Sequence, residues 1–232
     1  MDLPLILHIE TSSELCSVSV AAGEEQLAAR TGNGQRDHAS QLTPLIADTL
    51  KDAGLTPAQL SAVALSAGPG SYTGLRIGTS TAKGICHALH IPLIAINTLE
   101  VLAAGMIGAD TESSDLFCPL IDARRMEVYM AVYDRNLSAV VKPTPVVVKD
   151  QLLTDIDAGT RICIGGSGAQ KCIPFLHKVD FRMSGVVLPM ATMMHVLAFE
   201  KWQKRDFADI AYFEPEYLKE FYTPPAKKKS SF

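Results

Sequence analysis

One stretch of this sequence combines residue types and spacing that could bind a small anion. Residues 68–78 have the sequence Gly-Pro-Gly-Ser-Tyr-Thr-Gly-Leu-Arg-Ile-Gly, after a short apolar segment at 62–65 and before a helical pattern. A glycine-rich turn at a helix N-terminus frees backbone N–H groups that can hold phosphate. The stretch does not match G-x-x-x-x-G-K-[ST], and its glycines miss the G-x-G-x-x-G spacing. It therefore fits neither of the general phosphate-binding motifs.

The histidines and a second glycine cluster offer weaker chemistry. His87 and His90 are three residues apart, but no carboxylate or cysteine of suitable spacing follows, so a structural role is favoured over a metal site. His38 precedes a helical pattern, where a capping or structural role is expected. Residues 165–169, Gly-Gly-Ser-Gly-Ala, lack the last glycine of the G-x-S-x-G elbow, so the sequence shows no protease nucleophile of that type.

The bulk composition excludes several classes of protein. The 232 residues are 47% hydrophobic and 20% charged, which is typical of a globular protein with one large or two small domains. A formal net charge of −4 gives no general attraction to nucleic acid, so any contact with RNA has to come from a local patch or a partner. Five scattered cysteines without C-x-x-C spacing indicate thiols in a reducing compartment. Neither a signal peptide nor a membrane span is recognised, so a cytoplasmic location is expected.

The hydrophobic pattern predicts a similar order of elements twice. In the first half the strands are predicted at 5–9, 16–20, 26–30, 62–65 and 92–96, with helices from about 37 and at 73–90. In the second half the strands are predicted at 117–121, 128–133, 140–148 and 161–164, with helices at 151–156 and 190–205. Two β-β-β-α-β-α units predict a duplicated α/β protein. The predicted lobes are 1–107 and 108–222, followed by a disordered basic tail at 223–232.

Four segments together resemble the bacterial TsaB (YeaZ) family. They are the 68–78 stretch, Ala-Lys-Gly at 82–84, His-Ala-Ser-Gln-Leu-Thr-Pro-Leu-Ile at 38–46 and Asp-Ala-Arg-Arg-Met-Glu-Val-Tyr at 122–129. The resemblance extends over residues 3–222. It implies an actin/Hsp70/sugar-kinase-like (ASKHA) fold with two lobes of duplicated β-β-β-α-β-α. It also implies a role in the machinery that installs threonylcarbamoyladenosine on tRNA next to the anticodon.

A catalytic relative in the same superfamily, the TsaD-like transferase, has a similar Gly-Pro-Gly stretch. The transferase carries a metal-binding H-x-x-x-H pair on the segment after the strand that follows its glycine-stretch helix. Aligning that segment with residues 96–102 places Thr98 and Leu102 at the two ligand positions. A leucine cannot bind a metal ion, and a threonine hydroxyl is a poor ligand for a transition metal. The resemblance therefore implies the non-catalytic partner of the transferase, with no catalytic residues and no metal site.

A nucleotide site is the other chemistry that the resemblance raises. Sugar-kinase-like folds usually carry an aspartate for the metal–nucleotide at the end of the first strand, where this sequence has Glu10. A glutamate can hold Mg²⁺ through water, so weak binding of ATP or ADP with magnesium at a subunit interface stays open, beside a solvated strand-end acid. No cofactor is expected to be required. The candidate nucleotide-binding residues are Glu10, Gly68, Gly70, Ser71 and Gly166.

The helix after the glycine stretch carries a regular row of small residues. Gly74, Gly78, Ala82 and Cys86 recur every four residues and form one stripe, which would let another helix approach closely. A glycine inside a helix costs about 1 kcal/mol relative to alanine, so tight packing somewhere is expected. The packing surface is either the protein's own sheet or a partner helix. On the partner hypothesis the contact residues are Leu42, Leu45, Ile46, Leu50, Gly74, Leu75, Gly78, Ala82 and Cys86.

Two functions from different classes remain. The resemblance favours a scaffold or activator subunit that binds a TsaD-like threonylcarbamoyl transferase, with a TsaE-like ATPase and, indirectly, tRNA as further partners. Without the transferase a homodimer is expected. The alternative is a stand-alone ATP-dependent kinase or transferase that uses Glu10, the 68–78 stretch and Gly165–Gly168. Lys227–Lys229 in the basic tail are expected to be solvated, with tRNA contact as the less favoured option.

Overall fold

In the part of the chain that the structure describes, ten strands form two five-stranded mixed sheets. The computed structural model describes residues 3–34, 37–112, 114–149, 152–154, 156–157, 159–176 and 180–218. The first sheet, in the order β3-β2-β1-β4-β5, consists of β1 Leu5–Glu10, β2 Ser17–Ala22, β3 Glu25–Thr31, β4 Ala62–Gly68 and β5 Leu93–Asn97. The second sheet, in the order β8-β7-β6-β9-β10, consists of β6 Leu116–Asp122, β7 Glu127–Asp134, β8 Ala139–Val147, β9 Arg161–Gly165 and β10 Asp180–Met183.

Both sheets have the same topology. β1 pairs antiparallel with β2 and parallel with β4, and β6 pairs antiparallel with β7 and parallel with β9. The helices are α1 His38–Asp52, α2 Tyr72–Leu89, α3 Thr98–Gly108, α4 Ala169–Cys172 and α5 His195–Lys204. Among these described helices, none has the length and apolar character to cross a membrane. The repeated strand order confirms the predicted duplicated α/β architecture.

Helices cover both faces of the first sheet. Because successive residues of a strand point to opposite faces, Leu7 and Ile9 pack against α1 and α2, while Ile6 packs against α3 and α5. Each large apolar side chain that is fully buried in this way contributes about 1.5–3 kcal/mol. The two layers fix the carboxyl ends of β1, β4 and β5, from which the glycine turn and its neighbours project.

The last described part of the chain returns to the first sheet. The 3₁₀ turn Ala191–Met193 contacts β1 and β2, and α5 contacts β1 and β5. The backbone N–H of Ala208 donates to the carbonyl of Leu93 at 2.8 Å. The predicted lobe limits, 1–107 and 108–222, stay a prediction, because these contacts cross them. The predicted basic tail at 223–232 lies outside the described residues.

Some local predictions were wrong, each for a local reason. Residues 152–154 and 156–157 form turns instead of the predicted helix, because Leu153 has a φ of 58° and the N–H of Leu152 donates to the carbonyl of Phe175. α5 begins at His195 instead of residue 190, after a 3₁₀ turn. α3 and β10 were not predicted. α3 is apolar on nearly every side, so its sequence shows no helical period.

Candidate functional site

The glycine turn between β4 and α2 is held against the end of β1. β4 ends at Gly68, whose φ of 117° favours glycine because L side chains are strained there. The hydroxyl oxygen of Ser71 accepts the N–H of Gly74 at 3.3 Å and so caps α2. The N–H of Ser71 donates to the carbonyl of Ser12 at 2.7 Å. The turn has the predicted setting, a strand end that leads into a helix N-terminus.

The small residues of α2 are required by packing within the chain. A side chain at Gly74 would collide with the carbonyl of Thr11, and a side chain at Gly78 would collide with the Thr11 hydroxyl. Gly70 lies equally close to the backbone of Ser12. The absence of side chains therefore lets α2 approach the turn that follows β1. The sequence left two packing surfaces open for this stripe, the protein itself or a partner helix. In the structure the stripe packs within the chain.

Most residues predicted to contact a partner lie in the core of the first half. Leu45 is half-buried against that core. The buried members of the predicted set are Leu42, Ile46, Leu50, Gly74, Leu75, Gly78, Ala82 and Cys86. No partner is needed to explain their burial. The surface that α1 and α2 present to solvent is formed by the residues beside them.

A segment near the end of the described chain, residues 208–217, closes over the glycine turn as a C-terminal strap. The Nζ of Lys83 donates to carbonyls of the strap, those of Ala211 at 3.3 Å and Phe213 at 3.1 Å. The N–H of Glu216 donates to the carbonyl of Ala67 at 2.7 Å. The carbonyl of Glu216 lies where a side chain at Gly68 would begin. Gly68 therefore has to be a glycine for two reasons, its positive φ and its close contact with the strap.

The strap brings a carboxylate to the junction of the two sheets. The Nδ2 of Asn97, the N-cap residue of α3, donates to Oε2 of Glu216 at 3.0 Å. Negative charge is favourable at this helix terminus. Burial raises the pKa of Tyr133 on β7, and the nearby carboxylates of Glu100 and Glu216 raise it further. A carboxylate of the chain itself therefore lies beside the glycine turn and close to the second sheet.

Aromatic rings hold Arg76 at the first turns of α2. Its Nε donates to the hydroxyl of Tyr217 at 3.3 Å, and its guanidinium carbon lies 4.2 Å from the centroid of the Tyr72 ring. The rings of Tyr72 and Tyr217 are 5.0 Å apart. An arginine near a helix N-terminus opposes the macrodipole, and the cation–π contact offsets part of that cost. The strap thus ends on the N-terminal part of α2.

Glu10 is closed off from a ligand. Its carboxyl group is buried, accepts the N–H of Ser12 at 2.6 Å and is bonded to the Ser66 hydroxyl. Burial raises the pKa of Glu10, and the bonds from Ser12 and Ser66 lower it. A solvated acid and a magnesium ligand through water both require an open carboxylate. Neither role fits this arrangement.

The corresponding strand ends of the second half carry another glycine turn. Gly166 has a φ of 99°, and a side chain there would collide with the carbonyl of Leu120. The Oγ of Ser167 accepts the N–H of Asp122 at 3.1 Å. Gly166 therefore serves the packing of this turn against β6, and no nucleotide is needed to explain it. Beside it, the side chains of residues 124–125 are exposed.

The positions aligned with the metal ligands of the transferase are buried. Thr98 begins α3 and Leu102 lies one turn further, and both side chains are inaccessible to solvent. Over the ranges that the structure describes, no three His, Cys, Asp or Glu side chains lie close enough to share a metal ion. A metal held by an H-x-x-x-H pair therefore does not fit these residues.

Known proteins resemble this chain over most of its length. A sequence model described as "TsaD: tRNA N6-adenosine threonylcarbamoyltransferase" matches residues 25–227. The chain is 31% identical over 226 residues to the tRNA threonylcarbamoyladenosine biosynthesis protein TsaB of Escherichia coli, covering 92% of this chain and 94% of that protein. It is 33% identical over 150 residues to the TsaB protein of Bacillus subtilis, covering 63% and 64% of the two chains.

Solved structures agree with the sequence relatives. YeaZ from Pseudomonas aeruginosa has a TM-score of 0.80 at 25% identity, covering 93% of this chain and 100% of that one. The polyphosphate/ATP-glucomannokinase of an Arthrobacter strain has a TM-score of 0.50 at 10% identity, covering 86% and 99% of the two chains, and shows a likeness of fold alone. The predicted sugar-kinase-like fold is confirmed.

Sequence reasoning missed the C-terminal strap. No motif marks residues 208–217, and their contacts reach side chains that are distant along the chain. One signal was available in Arg76, because a cation near a helix N-terminus points to a fixed partner. The sequence favoured an acidic partner for Arg76, and the structure supplies the phenol hydroxyl of Tyr217 instead.

Proposed function

Because the chain belongs to the TsaB family of tRNA threonylcarbamoyladenosine biosynthesis proteins, we propose that it is a non-catalytic subunit that binds and activates a TsaD-like transferase. The observation that carries the proposal is the burial of Thr98 and Leu102 at the positions where the transferase has metal ligands. A core leucine leaves no ligand for a catalytic metal at this place. The chain then contributes by binding, and a TsaE-like ATPase and tRNA join through the assembled complex.

A stand-alone kinase or transferase is the second candidate function, and the geometry disfavours it. Phosphates at the glycine turn would need free backbone N–H groups, but the strap residue Glu216 covers Gly68. Glu10, the candidate ligand for magnesium, is buried. Weak binding of ATP or ADP with magnesium at the interface with the transferase stays a prediction, because such a site would include groups of the partner. Steady ATP turnover by the isolated chain would favour the enzyme over the scaffold.

The solvent-exposed faces of α1 and α2 are the surface that we assign to the transferase, or to a second copy in its absence. The two helices contact each other, and small exposed residues lie at Ala39, Thr43, Ala47, Thr73, Ser80, Gly84 and Ala88. Nothing lies within 4 Å of the place where a side chain at Gly84 would begin. Such a glycine costs about 1 kcal/mol without serving the chain's own packing. Close approach of a partner helix accounts for it.

A bulky residue at Gly84 tests this surface. Gly84→Trp is expected to leave the fold intact, because the position faces open space, and to weaken binding to the transferase at least about tenfold by holding the helices apart. Gly108→Trp is the matched control, since Gly108 is an exposed helical glycine with open space around it at the end of α3. Affinity is measured by titrating the transferase into each labelled protein.

The control separates the surface from the function. Equal affinities for the Gly84→Trp and Gly108→Trp proteins would place the docking surface elsewhere on the chain. No binding by the wild-type protein would contradict the scaffold proposal itself. The activity measurement is threonylcarbamoyl transfer by the transferase with the chain added. Its stimulation is expected to be lost with Gly84→Trp and retained with Gly108→Trp.

A further inference from the structure

The turn between β6 and β7 carries two arginines that the scaffold role does not use. Arg124 and Arg125 have φ values of 67° and 50°, and both side chains are exposed. Such conformations favour glycine or asparagine, and residues with long side chains adopt them at an energetic cost. Backbone strain of this kind is concentrated at functional sites. Arg125 also has an interaction within the chain, whereas among the described residues Arg124 is held only through its backbone.

The side chain of Lys171 bonds to the backbone of this turn. Its Nζ donates to the carbonyls of Arg125 at 2.9 Å and Glu127 at 3.1 Å, and it forms an ion pair with Asp122. The Asp122 carboxylate also accepts the N–H of Arg124 at 2.6 Å. Asp122 is thus engaged with Lys171 and the backbone. The Arg124 guanidinium makes no hydrogen bond or ion pair with any residue in the described part of the chain.

The turn lies on the side of the second sheet where α/β folds bind ligands. β6 and β9 are parallel, and their carboxyl ends lead into Asp122 and into Gly165–Gly168. The carboxyl ends of parallel strands are the ordinary ligand side of such sheets. The equivalent edge of the first sheet is covered by the strap at Gly68. The exposed arginines therefore stand at the edge that remains accessible.

We propose that Arg124 and Arg125 bind phosphates of the tRNA backbone; this rests on the proposed function, which brings the chain into a complex that acts on tRNA. A guanidinium presents a planar fork of donors that matches a phosphate. Arg124 and Arg125 are exposed neighbours, and adjacent guanidinium groups match the successive phosphates of a nucleic-acid backbone. With a net charge of −4, the chain can attract RNA only through a local patch.

Salt-dependent tRNA binding tests the proposal. Binding is measured for the isolated chain and for its complex with the transferase, at several salt concentrations. Affinity falls as salt rises, and each arginine–phosphate contact makes the slope of log affinity against log salt more negative by about one. Arg124→Gln/Arg125→Gln is therefore expected to reduce the magnitude of this slope by about two. Lys142→Gln/Arg205→Gln is the matched control, because it also removes two exposed cations, one on β8 and one after α5. Its slope is expected to equal that of the wild type.

A second variant distinguishes loss of the arginine side chains from misfolding of the turn. Arg124→Gly/Arg125→Gly suits the positive φ values, so it is expected to fold and to lose tRNA affinity equally. An unchanged slope in either arginine variant, an equal loss in the control, or no tRNA binding by the wild type would overturn the proposal. A variant that loses the transferase but binds tRNA as before would identify a protein contact, and also overturns it. Failure of the proposed function is a separate result, since the wild-type chain would then not bind the transferase.

Discussion

His8 places a titratable ring inside the first sheet. Its side chain is buried, and the ring of His195, the first residue of α5, lies 5.4 Å away between centroids. Burial lowers the pKa of His8 to about 3, with a further contribution from His195. Burial also lowers the pKa of His195. Both rings are therefore neutral in the folded protein at neutral pH.

The free energy of unfolding is expected to fall as the pH drops below about 6.5, the ordinary histidine pKa. Below that pH the unfolded chain binds protons that the folded chain excludes, so the stability present above pH 6.5 is lost towards the lowered folded pKa. At 1.36 kcal/mol per pH unit, His8 alone accounts for a loss of about 2 kcal/mol at pH 5. Urea unfolding at about pH 7.5 and pH 5 measures the loss.

Two variants test whether this pH dependence comes from His8. His8→Leu removes one excluded proton, so the difference in unfolding free energy between the two pH values is expected to shrink. His87→Leu changes an exposed histidine on α2 and is expected to keep the wild-type difference. The same pH dependence in wild type and His8→Leu would contradict this account.

Among the elements, α2 contains two glycines beyond its first turn, and their surroundings are opposite. Gly84→Ala is expected to raise the free energy of unfolding by about 1 kcal/mol, because the new methyl group meets nothing and the unfolded chain loses freedom. Gly78→Ala is expected to lower it by roughly 1–3 kcal/mol, because its methyl group would collide with the buried Thr11 hydroxyl. Urea unfolding of both proteins measures the pair. Two equal gains would contradict the close contact between α2 and Thr11.

The strands and α2 could be predicted from the sequence because local patterns determine them. Alternation and short apolar runs mark β1 and β4, and a serine N-cap followed by a helical period marks α2. α3 could not be predicted in this way. It lies between the two sheets and is apolar on nearly every side, so its sequence has no helical period. Its identity as a helix depends on neighbours that a local pattern does not contain.

The candidate site was only partly predictable, because its decisive contacts are distant in sequence. The spacing of Gly74 and Gly78 indicates a close neighbour but not which one, and Thr11 is identified only by the fold. Glu10 at a strand end looks like a solvated acid until Ser66 on the adjacent strand β4 bonds to it. Thr98 and Leu102 differ, since residue type alone excludes metal binding at Leu102.

Considered as a whole molecule, the two sheets are tied together by segments that cross between them. α3 packs on β4 and β5 of the first sheet and on β6 and β7 of the second. Residues 191–217, which follow the second sheet in sequence, pack on the first and cover its glycine turn. Unfolding either half would therefore expose apolar surface in the other, which favours a single cooperative transition.

Coincident unfolding of the two halves is accordingly expected. Cys86 is buried in the first half and Cys163 in the second, and burial raises the pKa of both thiols, so each should react with a thiol reagent only after its half opens. Pulse labelling at graded urea concentrations, with the labelled peptides identified by mass spectrometry, gives a midpoint for each cysteine. Fluorescence of Trp202, on α5, gives a third. Three equal midpoints are expected, whereas an earlier midpoint for Cys163 would show that the predicted lobe 108–222 unfolds separately and that the crossing contacts are weak.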